Sequence, residues 1–308
     1  MVLVESLVNG LIQGSIYAVF AASFTIIFGV MDIPNMGHAA LFAGGAYVYF
    51  QVVQLSGLPL AVGILAAILA VALLGAIIER ALLAPLYDRD ESGYIFGVIL
   101  VTLGVAQILE RAFAQTWGHE PHYLAFGGLH NTPIAFLDTS VTVLELIVFL
   151  FALANFAFLY WLINSTTLGL SLRAIVQDRE LARMKGVNVR RAFLSAFVLG
   201  SAMAAVAGVL NAAMFSLTPT MGFDLLIKAF IIVILGGIGR VFGAMLAGYA
   251  LGLYEAFAVL TLSSYYIFAS EFAVLILFFL VKAVVLRTGT ESLTGALRQR
   301  VARVRGVR

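Results

Sequence analysis

The densest group of reactive side chains lies in the middle of the chain, between long apolar stretches. Eight charged residues fall within nineteen positions: Arg173, Asp178, Arg179, Glu180, Arg183, Lys185, Arg190 and Arg191. Side chains charged at this density cannot remain in hydrocarbon. From Ala192 the sequence is apolar again. One continuous element is therefore predicted to start in water and to end inside a membrane.

The order of charges in this segment predicts a short capped helix. Asp178 can cap its N-terminus, Glu180 lies in the first turn, and two basic residues lie in the last. Gly186 follows the last turn and suits a left-handed C-terminal cap. Asn188 can then cap the apolar helix that follows. An ordinary basic loop on the cytoplasmic side is the alternative interpretation.

Patterns typical of enzymes do not occur. The chain contains no H-E-x-x-H, no G-x-S-x-G and no G-x-x-x-x-G-K-[ST] sequence, and it has no cysteine. His119, His122 and His130 lie in a loop rich in proline and glycine, where a solvated external loop is favoured over a metal site. We therefore predict a protein that is not an enzyme, with no metal and no cofactor. The small net charge of +2 gives no reason to invoke nucleic acid.

Two apolar segments are interrupted by polar or glycine-rich breaks, Gly29–Tyr47 and Leu235–Gly252. Matched interruptions in two halves of a membrane protein indicate a translocation path at an internal repeat, and Gly44 and Gly248 are candidate equivalent positions. Exposed helix N-termini at such breaks can face a carboxylate. The alternative is tight helix packing without ligand contact. The predicted path residues are Asn35, His38, Gly44, Gly45, Gly236, Gly237 and Gly239.

The composition indicates the fold class. The chain is 62% hydrophobic and 11% charged, whereas soluble domains have about 25% charged residues. We predict an all-α polytopic membrane protein: one permease domain over 1–308, with about eight to nine membrane segments, some broken or re-entrant. The first span is expected to be retained rather than cleaved as a signal peptide. The segments are placed at 7–30, 38–54, 59–84, 94–112, 141–163, 193–215, 225–235, 241–262 and 267–286.

The basic residues indicate the orientation. The central charged segment (about 165–192) and the tail (287–308) hold twelve of the eighteen Lys and Arg residues, and Arg80 and Arg89 flank another short loop. The positive-inside rule places all three in the cytoplasm. The tail can also contact anionic membrane lipid, and a solvated tail is the equally good alternative. The histidine-bearing loop then faces outward.

Three ordered patterns resemble the permeases of branched-chain amino acid ABC importers. The first is F-G-V-x-x-I-x-N-x-x-H from Phe28, and the last is L-G-G-I-G-x-x-x-G-A-M-x-x-G from Leu235. The central pattern is R-A-x-x-x-D-x-x-x-A-x-x-x-G-V-N from Arg173. The resemblance covers nearly the whole chain. The late pattern and the length favour the H-type subunit, whereas Asn35-Met-Gly-His resembles the M-type.

The resemblance implies both function and partners. In that family the central loop is a coupling helix that docks on an ATP-hydrolysing subunit, and here it is carried by Arg173, Asp178, Ala182, Gly186 and Asn188. ATP-binding subunits, a second homologous permease and an external or periplasmic substrate-binding protein are the implied partners. The implied location is the prokaryotic cytoplasmic membrane. The substrate is a branched-chain or related hydrophobic amino acid, or another small solute such as urea.

An ion-coupled secondary transporter is the other functional hypothesis. Such a protein needs ionisable groups deep in the membrane. The candidates are predicted to lie near helix ends or breaks, which weakens this hypothesis: Asp32, Glu110, Glu145, Lys228, Glu255 and Glu271.

Overall fold

The computed structural model describes residues 2–87, 91–124, 126, 132–136, 139–263 and 265–282. Helices account for most of these residues. They are α1 (Val2–Met31), α2 (His38–Tyr49), α3 (Leu60–Ile77), α4 (Glu91–Trp117), α5 (Val143–Ser165), α6 (Thr167–Gln177), α7 (Arg179–Met184), α8 (Val189–Met214), α9 (Met221–Gly236), α10 (Val241–Ala258) and α11 (Tyr265–Lys282). A π-helical turn, Phe50–Leu55, extends α2, and π- and 3₁₀-helical turns extend α3 to Leu86.

Seven helices in the described part are long and apolar enough to cross a membrane: α1, extended α3, α4, α5, α8, α10 and α11. The predicted all-α polytopic fold is confirmed. A small hairpin of β1 (Pro133–Phe136) and β2 (Thr139–Thr142) precedes α5. The chain divides at Leu260 into two compact units, so α11 is described by itself. The basic tail 287–308, Arg89 and His130 lie outside the described residues.

The centre of the first unit is built from α1 and α8, which are buried along most of their length. Glycines allow their neighbours to approach to backbone contact. Gly14 lies against Gly252 of α10, and Gly45 of α2 lies against the backbone of Ala205 in α8. Close backbone packing of this kind replaces the hydrophobic driving force, which is weak between helices already in lipid.

Two helices are too short to cross. The 16 residues of α9 span only about 24 Å, less than the hydrocarbon thickness of about 30 Å. The 12 residues of α2 reach the outer face only with their π-helical extension. Each short helix follows a non-helical linker, 32–37 or 215–220, and Asp32 in the first linker has a φ of 61°. The predicted break after α1 and the predicted short segment at 225–235 are both confirmed.

The chain contains an inverted repeat of three helices. In α1–α2–α3 and in α8–α9–α10, a long helix is followed by a linker of equal length, a short helix and a third helix. The C-terminal ends of α1 and α3 lie near the start of α8, so α1 and α8 run in opposite directions. The two short helices begin side by side, with Gly222 against the Ala39 carbonyl. Inverted repeats that meet in mid-membrane are typical of transport proteins.

This symmetry corrects the predicted pairing of the interrupted segments. The counterpart of linker 32–37 is 215–220, and α2 therefore corresponds to α9. The glycine-rich turn at 237–240 instead closes the hairpin between α9 and α10, where Gly236 touches Gly243. The predicted equivalence of Gly44 with Gly248 was wrong. Some of these glycines form a turn, as at 237–239, and others allow close helix packing, as Gly248 does against Ala18. The sequence alone does not distinguish the two roles of glycine.

Candidate functional site

The central charged segment folds as two surface helices, α6 and α7, rather than one. Asp178 Oδ1 accepts a hydrogen bond from the Leu181 amide at 2.8 Å and caps α7. Asn188 Oδ1 accepts from the Arg191 amide at 3.0 Å and caps α8. Gly186 has a φ of 87° and forms the turn between them. The predicted caps and the predicted turn are all present.

The short helix α7 presents apolar side chains to the outside. Met184 is 82% exposed and Leu181 is 52% exposed, among charged neighbours. Ala182 is buried against the body of the protein, and Arg173 on α6 is exposed. Isolated exposed apolar residues are ordinary, and the two on this capped six-residue helix lie three positions apart, on one side of it.

An aromatic cluster joins α7 to the C-terminal end of α1. The Arg179 guanidinium lies 4.7 Å from the centre of the Phe193 ring and 5.8 Å from that of Tyr94. The Tyr94 hydroxyl donates to the Met31 carbonyl at 3.1 Å, directly before the linker 32–37. A polar cavity of about 300 Å³ lies between the linker and α7, lined by Asp32, Tyr94 and Arg179. Through Arg179 and Tyr94, α7 is therefore in contact with the residue that directly precedes the first linker.

Burial shapes the chemistry beside this cluster. Tyr87 follows extended α3 and packs edge-on against Phe193. Burial, followed by the charge of Glu79, raises the pKa of the Tyr87 phenol above its usual range. The phenol therefore stays protonated and donates to Glu79 at 2.8 Å.

Asn35 and His38 lie together where the two repeats meet. His38 is fully buried, and its Nε2 is 2.7 Å from the Ser23 hydroxyl of α1. Asn35 Oδ1 accepts from the Gly37 amide at 3.0 Å. Within the described part of the chain, His38 Nδ1 and Asn35 Nδ2 have no hydrogen-bond partner. Unpaired polar atoms buried in this way are costly, so Asn35 and His38 remain candidates for contact with a solute or water.

The other predicted path residues lie elsewhere. Gly44 faces the Phe113 ring, and Gly45 packs on α8. Gly236 and Gly237 form the hairpin turn, and Gly239 touches Gly29 and Val176 at the face that carries α7. The structure thus divides the predicted set among three places. The predicted glycines lie at close contacts within and between helices. Their role in a translocation path stays a prediction.

A buried ionic network joins α1, α9 and α10. Lys228 Nζ lies 2.6 Å from Glu255 Oε1 and 2.9 Å from the Tyr17 hydroxyl. The Tyr17 hydroxyl donates to Glu255 Oε2 at 2.7 Å, and Gln13 Nε2 donates to the Tyr17 hydroxyl at 2.6 Å. The side chains of Lys228 and Glu255 are only 19% and 10% exposed.

The sequence interpretation was wrong for Lys228, whereas Glu255 lies in the last turn of α10, near a helix end as predicted. Lys228 lies in the middle of α9, and its ammonium meets the Glu255 carboxylate at the Tyr17 hydroxyl of α1. The signal was present, because Lys228 is the only charge in the apolar run 225–239. The sequence did not show that this charge is paired, because its partner, Glu255, is 27 positions away.

Replacing Lys228 with methionine is expected to lower stability by about 3 kcal/mol, because a buried carboxylate loses its cation. The midpoint of thermal unfolding in detergent measures this loss. Lys185→Met, on the exposed turn after α7, is the matched control and is expected to unfold as the wild type does. Equal midpoints for the two variants would show that the ion pair adds no stability.

The histidine loop shows no metal geometry in its described part. His122 pairs through its backbone with Leu217, and its Nε2 is 2.9 Å from the Trp117 carbonyl. The described residues contain no group of three His, Cys, Asp or Glu side chains that would hold a metal ion.

An inverted helical repeat, a mid-membrane break and a surface helix in contact with the residues beside that break are typical of a multi-pass transport protein. Comparison with known families identifies the class further. The family model described as the branched-chain amino acid transport system / permease component matches residues 6–285, and the chain belongs to this family. The predicted class, a permease subunit of an ATP-binding-cassette importer, is thereby confirmed.

Individual relatives agree with this assignment. The chain is 30% identical to the high-affinity branched-chain amino acid transport system permease protein LivH of Salmonella typhimurium, over 90% of this chain and 92% of the relative. It is 29% identical to the corresponding protein BraD of Pseudomonas aeruginosa, over 89% and 92%. The relatives named LivH agree with the predicted H-type. No solved structure matches.

Proposed function

We propose that this chain forms, with a second homologous permease, the path by which branched-chain or related hydrophobic amino acids enter a prokaryotic cell across the cytoplasmic membrane. ATP-binding subunits drive transport from the cytoplasmic face, and an external binding protein delivers the substrate. The names of the relatives support the substrate class.

The observation that carries the proposal is the construction of α7. Its exposed Leu181 and Met184 offer an apolar contact to an ATPase subunit, and Asp178 and Gly186 fix the shape of the helix. Arg179 and Tyr94 then connect that contact to the linker before α2. This arrangement suits the transfer of movement from an ATPase to a membrane path.

Purification from the native membrane in mild detergent tests the partners. An ATP-binding subunit and a second, similar permease are expected to remain bound. In proteoliposomes, the complex with its binding protein is expected to take up labelled leucine only when ATP is present on the cytoplasmic side. Competition with isoleucine, valine and urea then determines the substrate class. A chain that purifies alone and transports without ATP would contradict the proposal.

The buried pair Lys228 and Glu255 is a feature that an ion-coupled transporter would also have, because charged residues within a membrane protein often mark ion pathways. That hypothesis expects uptake driven by a sodium or proton gradient without ATP. Our proposal expects no uptake under that gradient alone.

A further inference from the structure

The outer half of α1 carries a polar stripe. Glu5, Asn9 and Gln13 follow each other at intervals of four residues, so they lie on one face of the helix, and Tyr17 continues the row. They border a groove between α1 and α10 of about 420 Å³, whose other wall includes Gly252, Glu255 and Val259. Because the end of α1 beside α7 is cytoplasmic, the groove opens to the outside.

This stripe is unsuited to lipid. Asn9 is exposed along the groove and Gln13 is partly buried, whereas Leu3 and Leu7 on other faces of the same helix are exposed and apolar. Amide side chains facing hydrocarbon lose hydrogen bonds to water without replacement. The polar side of α1 therefore belongs to a hydrated surface, and the leucine-bearing side belongs to lipid or to a packed helix.

The inner end of the groove reaches a carboxylate that is paired with a buried cation. Glu255 lines the groove itself, and Lys228 lies 2.6 Å behind it. Gln13 adds an amide next to the Tyr17 hydroxyl. Val259 and Leu260 form an apolar wall nearer the outer end. A zwitterion with an apolar side chain matches this set, with its ammonium on Glu255, its carboxylate on the side-chain amides of Asn9 and Gln13, and its side chain on the apolar wall.

We propose that the groove between α1 and α10 is an outward-facing binding site for the zwitterionic head group of the transported amino acid, with Asn9, Gln13 and Glu255 as its polar contacts. This inference rests on the proposed function, and it adds to that function a location and a chemical basis for recognition. Neither linker residue, Asn35 or His38, lines this groove.

The absence of cysteine makes a labelling test direct. Gln13→Cys and Leu11→Cys are placed in the otherwise cysteine-free chain, and the complex is assembled in proteoliposomes. Leu11 is the control, because it lies near the same depth of α1 but lines a separate apolar cavity. A charged, membrane-impermeant thiol reagent is added outside, and the label on this chain is measured over time.

We expect Gln13→Cys to react and Leu11→Cys to remain unlabelled, because a thiol surrounded by apolar groups does not ionise. Near-saturating leucine, delivered with the binding protein, is expected to slow labelling about tenfold, since only the free groove reacts. The analogues 4-methylpentanoate and 3-methylbutylamine, which each lack one charge of the zwitterion, are expected to give no such protection.

Three results would overturn the proposal. If Gln13→Cys is as unreactive as Leu11→Cys, the stripe is covered by protein and the groove is not a site. If leucine gives no protection, the groove is hydrated but does not hold the substrate. Equal protection by an analogue would exclude recognition of the zwitterion. ATP-driven leucine uptake by the wild-type complex is measured in parallel and tests the proposed function separately. A wild-type complex that shows no such uptake would contradict that function.

Discussion

Gly208→Ala is expected to destabilise the folded chain by about 3 kcal/mol, the upper range for overpacking a tightly packed site. A methyl group at this position would meet the Phe42 carbonyl oxygen, where α8 crosses α2. The methyl group would meet the backbone of α2, which cannot rotate away from the contact as a side chain can. The two helices must therefore separate, and the crossing that places α2 in mid-membrane is lost.

The unfolding midpoint and the yield of monodisperse protein in detergent measure this effect. Gly104→Ala is the matched control, since it lies inside α4 and has no atom within 4 Å of an added methyl group. It is expected to raise stability by up to about 1 kcal/mol, the intrinsic helix preference for alanine. Gly45→Ala disturbs the same crossing against Ala205, so the double variant is expected to cost less than the sum of the single variants. A Gly208→Ala protein that unfolds as the wild type does would show that α2 and α8 do not pack as described.

Gly186→Val is expected to uncouple ATP hydrolysis from leucine uptake while leaving the membrane helices folded. Its φ of 87° costs about 1–2 kcal/mol for a residue with a side chain, and the turn between α7 and α8 changes shape to relieve that strain. No atom lies within 4 Å of an added methyl group, so the core is not touched. Uptake is expected to fall about tenfold or more, which corresponds to about 1.4 kcal/mol of lost coupling.

Gly57→Val is a closely matched control. Gly57 also has a positive φ, 70°, and free space around it, but it lies in the turn between α2 and α3 at the outer face. The two variants therefore carry similar local strain, and only one of them changes the surface proposed to meet the ATPase. Asp178→Lys removes the α7 cap by a different route and is expected to reproduce the Gly186→Val result. An assembled Gly186→Val complex with wild-type uptake would contradict the assignment of α7 as a coupling helix.

The amino-acid sequence by itself determined the features that depend on neighbouring residues. Long apolar runs predicted where the spanning helices lie, and a polar break predicted the non-helical linker before α2. The caps by Asp178 and Asn188 were predictable because each joins a side chain to an amide three positions away. Gly186 was predictable because few other residues tolerate a left-handed turn.

Only the tertiary structure decided which faces meet. α3 and the inner half of α1 are apolar on almost every side, and both lipid and protein interior accept such surfaces, so periodicity does not reveal the packed face. The correspondence of α2 with α9 and the crossing at Gly208 therefore had to come from the fold. The same holds for Tyr17 and Glu255, which are 238 positions apart in the chain and meet only because α1 and α10 pack antiparallel.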